Sequence, residues 1–169
     1  MAKELLNVPM TGMEMMEYNP DARLLKYTDL RNYSSIDDAF AHSNKIVLLY
    51  LVNDSHSGHW TGLCRVGKYI TFFDSYGLEI DDELNWIPSH KRDELGEHYK
   101  YLSQLLRKSP YKIFHNSYKL QGKHTQTCGR HVSLYLLNGE KMGLETYVKK
   151  YFADKEKSPD LIVCELINK

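Results

Sequence analysis

Three short stretches hold side chains that can do chemistry together: "GHW" at Gly58–Trp60, "FFDSYG" at Phe72–Gly77 and "QGKHTQTCGRH" at Gln121–His131. In the third, Cys128 opens an apolar run to Leu137 that reads as a helix closed by Asn138-Gly139. A thiolate at a helix start is favoured by the partial positive charge there and by any nearby imidazolium. Thr125 or Thr127 could cap that helix by accepting from its first N–H groups. Gly129 leaves room for other backbone or for substrate beside the sulfur, and the N–H of Cys128 can donate to an oxyanion. Gln121 and Gln126 both offer a neutral amide as the second donor, and spacing does not choose between them. The plain alternative is that Cys128 is a small buried residue at a helix start.

A thiol nucleophile needs a base. The segment "GHWTGLCRVGKYITFFDSYG" contains two strand-like runs separated by Gly67-Lys68, a pair suited to a type II′ hairpin. Setting Val66 opposite Tyr69 pairs Arg65 with Ile70, Leu63 with Phe72 and Thr61 with Asp74. His59 then shares a face with Thr61 and lies diagonal to Asp74, at roughly 7 to 8 Å between backbone positions, a gap that an imidazole and a carboxylate bridge. The carboxylate would fix the ring tautomer and favour the imidazolium. A purely structural His–Asp bond at a strand end is the alternative. Trp60, Cys64, Val66, Tyr69 and Phe73 fall on the opposite face, so the hairpin must be covered on both sides. His131, one turn along the helix from Cys128, ranks behind His59 as the base because it points away from an attacking substrate. A zinc ion held by His124, Cys128 and His131 lacks a fourth ligand and a paired Cys-x-x-Cys, which argues against a metal.

The elements that must position these groups follow from pattern. Gly12–Tyr18 and Ser35–Ala41 read as short helices, the second with Ser34 or Ser35 as cap. Lys45–Val52, "KIVLLYLV", reads as a central strand buried on both faces. Asp93–Lys108 reads as one amphipathic helix with Leu95, Tyr99, Leu102 and Leu106 on its stripe, and "YKIFH" as a short strand. A helix over Leu144–Phe152 and a final strand "LIVCELI" complete an α+β pattern without βαβ alternation. The 169 residues carry no linker-like segment, so residues 1–169 are expected to form a single domain. Lys+Arg and Asp+Glu balance at 22 each, which argues against nucleic acid binding by counterion release. No window approaches the roughly eighteen apolar residues of a membrane span, so the expectation is a soluble, intracellular protein. The three cysteines are widely spaced, and Cys64 and Cys164 read as structural.

The ordered set "GHW", "FFDSYG" and "QGKHTQTCG" resembles the adenovirus-protease (adenain) and SUMO-protease (Ulp-like) superfamily of cysteine peptidases, over roughly Lys45 to Asn138. The resemblance is closest to viral maturation proteases. It implies a papain-like α+β fold, with a central mixed sheet flanked by helices and the nucleophile at a helix N-terminus. Carried over by position, it makes Cys128 the nucleophile, His59 the general base and later acid, Asp74 the residue orienting the imidazole, and Gln121 an oxyanion donor. Trp60 matches the aromatic that follows the family's histidine and, with Gly129, is the candidate substrate contact. Trp60 reads equally as core. The Gln121–Cys128 interval follows the adenovirus type, whereas an aspartate rather than a glutamate at position 74 follows the SUMO proteases. Arg130-His131 departs from the apolar residues that commonly follow Cys-Gly in the family.

The resemblance implies a cysteine endopeptidase that cleaves after glycine or other small residues and processes viral or mobile-element precursors, without a cofactor. Its expected partner is a polypeptide substrate, with an activating peptide as a second candidate; the charge balance gives little support for nucleic acid, and no membrane is expected. It would act in the host cytoplasm or nucleus, and in the virion. The rivals are an isopeptidase acting on ubiquitin- or SUMO-like conjugates, a related acyltransferase, and an inactive module that binds a ubiquitin-like protein.

Overall fold

The computed structural model describes residues 2–52 and 58–168. Among them a five-stranded mixed sheet runs in the order β1 (Arg23–Lys26), β2 (Lys45–Leu51), β3 (Gly58–Val66), β4 (Tyr69–Phe73) and β5 (Lys112–His115). The three middle strands are antiparallel, and each edge strand pairs in parallel with its neighbour. Helices α1 (Gly12–Tyr18), α2 (Ile36–Phe40), α3 (Ser89–Leu95), α4 (Tyr101–Arg107), α5 (Cys128–Asn138), α6 (Leu144–Phe152) and α7 (Pro159–Leu166) flank it. This is the expected α+β architecture, and none of these helices is long and apolar enough to cross a membrane.

All seven residues of β2 are buried, as a strand covered on both faces requires. On one face Val47, Leu49, Trp60, Cys64 and Phe73 pack against Val132, Tyr135 and Leu136 of α5, with Tyr147 and Val163 behind. On the other, Ile46, Leu48, Leu63, Ile70 and Phe72 pack against Leu30, Ile36, Phe40, Leu102 and Leu106. Helix α5 is buried all round except at Leu137, so it is a core helix rather than a surface one.

Two expected elements are corrected. The run "LIVCELI" is helical. Ser158 accepts from the Leu161 N–H (3.1 Å), Pro159 occupies the first turn, and Asp160, Val163, Cys164 and Ile167 are buried with helical spacing. The cap at Ser158-Pro159 overrides the strand propensity of Ile and Val. The single helix expected over Asp93–Lys108 is two, because Gly96 adopts φ +78° and ends α3. The chain leaves the helix there so that buried Glu97 can accept the N–H of Leu51 (2.6 Å) at the end of β2, and Tyr99 lies exposed rather than on an apolar stripe.

Burial pushes Glu97 up to about 7, against the opposing pull of the Leu51 N–H. The folded protein therefore holds this proton up to about pH 7, while the unfolded chain releases it near 4.5. The stability it contributes is complete below the lower value and lost as pH rises through the upper one. Thermal unfolding measured across that range is expected to show Tm falling with pH in the native protein, with a shallower slope in Glu97→Gln. Equal slopes would refute the assignment.

Candidate active site

The β3–β4 hairpin sets the first two groups. Val66 pairs with Tyr69, Arg65 with Ile70 and Leu63 with Phe72, and Gly67 takes the positive φ, +57°, that the first position of a type II′ turn requires. This is the register expected from sequence. His59, at the start of β3, and Asp74, just beyond the end of β4, meet with Nε2 of the ring 2.9 Å from Oδ1 of the carboxylate. Asp74 has no solvent exposure, and its Oδ1 also accepts from the Tyr76 N–H (2.8 Å). Asn116 holds the backbone on both sides of it, accepting from the Asp74 N–H (3.0 Å) and donating to the Asp74 carbonyl (2.6 Å). The ring of Tyr76 stacks on that of His59, with centroids 4.9 Å apart, and limits its rotation.

The turn after Asp74 also fixes Gln121. The Ser75 carbonyl accepts from the N–H groups of Leu120 (2.8 Å) and Gln121 (2.9 Å), and the Ser75 hydroxyl donates to Gln121 Oε1 (2.6 Å). Gln121 Nε2 donates to the Thr125 carbonyl (3.0 Å), a partner that fixes which end of the amide is nitrogen. Gln121 also lines the cleft. Gln126 is exposed, and its backbone N–H is tied to the Leu6 carbonyl.

Cys128 is the first residue of α5, where backbone N–H groups have no partner within the helix. The expected cap is absent: Thr127 turns its hydroxyl to Asp160 Oδ1 (2.6 Å), and Thr125 donates to the Gly122 carbonyl and to Asp160 Oδ2. A buried carboxylate is a strong acceptor, and donating to it orients both hydroxyls toward Asp160. The close neighbours of Gly129 belong to the chain itself. A Cβ there would stand 2.9 Å from Met15 Sδ, 3.0 Å from Met10 Cβ and 3.2 Å from Trp60 Cδ1. Trp60 is buried and donates its indole N–H to the Met10 carbonyl (3.0 Å), yet it also lines the cleft.

His59, Gln121 and Cys128 open into one cleft of about 700 Å³, lined also by Pro9 to Gly12 and by Trp86 and Ile87. Burial alone would depress the pKa of His59. The Asp74 carboxylate and a hydrogen bond with Cys128 outweigh it and leave the ring well above its usual range. With Nε2 taken by Asp74, Nδ1 is the nitrogen that remains for the sulfur. Burial works against ionisation of Asp74 too, but the hydrogen bond from His59 holds it below the usual carboxylate range.

His131 stands apart from this group. It is fully buried, with Nε2 2.8 Å from Asp160 Oδ1, and burial lowers its pKa. Arg130 donates to the carbonyls of Ile167 (3.0 Å) and Val8 (2.6 Å). The pair that the sequence left unexplained thus ties α5 to both ends of the described chain. His124 is exposed, so His124, Cys128 and His131 do not assemble as ligands. Among the described residues, His59, Asp74 and Glu83 form the one group that could hold a metal ion, their atoms lying within 4.8 Å of one another. Sequence reasoning did not single out Glu83, Asn116, Ser75, Tyr76 or Asp160, and only the Asp-Ser-Tyr turn signal after β4 hinted at any of them. Burial pushes up the thiols of Cys64, to about 11, and Cys164.

Asp160 accepts from the Gly122 N–H (2.8 Å), Thr125, Thr127 and His131. Asp160→Ala strands several buried donors at once, and a loss on the order of 3 kcal/mol is expected in denaturant unfolding. A loss within error would show that the carboxylate does not hold this segment.

No protein-family model matches the chain. The fold is similar to that of the ASFV pS273R protease, with a TM-score of 0.50 at 11% identity over 94% of this chain and 67% of that one. A weaker likeness, TM-score 0.36 at 17% identity, covers 92% of this chain and 72% of the C-terminal Ulp1 protease domain solved in complex with Smt3, the yeast ortholog of SUMO. In sequence the chain is 38% identical over 128 residues, 74% of its length, to the uncharacterized protein V9 of Sputnik virophage, covering 71% of that protein. On that identity and coverage, the chain belongs to the family of the Sputnik virophage V9 protein.

Proposed function

We propose that this protein is a cysteine endopeptidase that cleaves polypeptides after glycine or another small residue and processes viral precursor proteins inside the infected cell or virion. The observation that carries the reading is His59, an imidazole held on Nε2 by a fully buried carboxylate and lining the same cleft as Cys128. The resemblance of the three motifs, the fold shared with a viral protease and the kinship with a virophage protein support it. The preference for small residues rests on the motif resemblance alone.

In this scheme His59 takes the thiol proton, and the sulfur attacks the carbonyl carbon of the scissile peptide. The oxyanion accepts from the Cys128 N–H and from the free hydrogen on Gln121 Nε2. The imidazolium, steadied by Asp74, returns its proton to the leaving amine, and the C–N bond breaks to give a thioester. Water, deprotonated by His59, then attacks that thioester and releases the acid and the free thiol.

A glycine-terminated peptide vinyl sulfone is expected to add one mass equivalent to the native protein and none to Cys128→Ala. Peptides with an internal glycine should be hydrolysed in water without an added acceptor, and His59→Ala should lower turnover by about 10³-fold. Labelling of Cys128 without hydrolysis would point to the acyltransferase, and no labelling to the silent binding module.

A further inference from the structure

A carboxyl group that this scheme does not use stands against the His59–Asp74 pair. Glu83 lies in the 3-10 helix Asp82–Trp86, which is held in place by buried Asp81. That carboxylate accepts from the hydroxyls of Tyr27 (2.8 Å) and Tyr50 (2.9 Å) and from Ser103. Glu83 is 7% exposed, and its Oε1 is 3.4 Å from His59 Nε2, the nitrogen that Asp74 Oδ1 holds at 2.9 Å. Asp74 Oδ2 and Glu83 Oε1 are both buried, and among the described residues neither has a hydrogen-bond donor when the two acids are written as ionised. Two such charges side by side, both buried and with a single imidazolium between them, repel strongly. One proton shared between the two acids removes the repulsion and gives an orphaned oxygen its partner. Asp74, with donors from His59 and Tyr76, is the better stabilised anion, so the proton belongs to Glu83.

We propose that Glu83 is a positioning residue of the site, a neutral carboxylic acid that donates to the free oxygen of Asp74 and thereby fixes the carboxylate that orients His59. Its effect on turnover rests on the peptidase reading, whereas its effect on the Cys128–His59 pair does not. Burial first, then the charge of Asp74 and the hydrogen bond to it, push Glu83 up to about 8 against the pull of His59. The groups that face it are His59 from β3, Asp74 and Tyr76 from the turn after β4, Tyr50 from β2 and Asp82 from its own helix, with Cys128 acting through His59. Once Glu83 ionises, a donor to Asp74 becomes a second acceptor competing for the same Nε2 proton. The imidazolium is then held too firmly to protonate a leaving amine.

Glu83→Gln keeps an N–H donor and cannot ionise, while Glu83→Ala removes the donor. Peptide turnover by the native protein is expected to decline on the alkaline side with a midpoint near pH 8. In Glu83→Gln that decline should move up by about one pH unit or more. Glu83→Ala should lose about tenfold in kcat with little change in KM, and Glu83→Gln should recover most of it at pH 7. The rate of Cys128 alkylation by iodoacetamide, which needs no peptide turnover, should show the same inflection near pH 8 in the native protein and lose it in Glu83→Gln. If alkylation behaves so while no peptide is cleaved, the peptidase reading fails and Glu83 stands. An inflection unchanged in Glu83→Gln overturns the proposal, whether or not peptide is cleaved. Should the variants fail to fold, the assigned 13C resonance of the Glu83 carboxyl in the native protein decides: a midpoint near 8 supports the proposal, and one in the ordinary carboxyl range overturns it.

Discussion

A fully buried carboxylate at the end of β4 must be surrounded by donors, and the donors that Asp74 recruits organise the rest of the site. Its Oδ1 takes the ring of His59 from the neighbouring strand and the N–H of Tyr76 from its own turn. That turn puts the ring of Tyr76 on the face of His59 and the carbonyl and hydroxyl of Ser75 on Gln121. Asn116, one residue past β5, closes the arrangement by bonding the Asp74 backbone on both sides. The acid, the ring and the amide are therefore not three separate placements. They follow from one hairpin register and the need to satisfy one buried charge.

The Cys128 segment is held by a second carboxylate in the same manner. Asp160, from α7, gathers the Gly122 N–H, two threonine hydroxyls and His131, and so fixes the loop between Gln121 and Cys128. Both His–Asp pairs are buried, yet they titrate in opposite directions. His59 shares Asp74 Oδ1 with a single backbone donor, the Tyr76 N–H, and the pull of Asp74 and Cys128 raises its pKa. His131 shares Asp160 with three other donors, its Nδ1 has no partner among the described residues, and burial prevails. A neutral ring suffices to hold a loop in place, whereas the surroundings of His59 favour the cation.

The parts of this arrangement that the sequence made legible are those in which period and turn chemistry act locally. Gly67-Lys68 pinned the hairpin, and a register slip of one residue would have sent His59 to the other face, so the His59–Asp74 meeting could be counted out. Helices α1, α2, α5 and α6 followed from caps, stop residues and apolar spacing. The errors came where a long-range demand beat a local pattern. Glu97 is drawn in to the end of β2, and Gly96 breaks the helix to allow it. In α7 the Ser158-Pro159 start outweighed a run of strand-forming side chains. Thr127 would make a fair cap by itself, but it meets a carboxylate 33 positions away. Glu83 and Asp160 carry no local signature, because what sets them apart is the burial that distant segments impose on them.

The remaining illegible contacts are made to backbone carbonyls. The segment Pro9 to Gly12 lines the same cleft as Trp86. Nearby carbonyls place it: Leu6 accepts from Gln126, Val8 from Arg130, and Met10 from the indole of Trp60. A carbonyl is the same group whatever side chain it belongs to, so no residue type in that segment announces these bonds. Their other ends do carry a trace. A guanidinium next to Cys-Gly, where the resemblance leads one to expect an apolar side chain, is tolerable in the core only if oxygens already wait for it. Arg130 finds them at Val8 and Ile167, which places the two ends of the described chain against the helix that bears Cys128. The departure at Arg130 thus has the same physical origin as Asp74: a charge taken out of water has to be met, and the groups that meet it build the site.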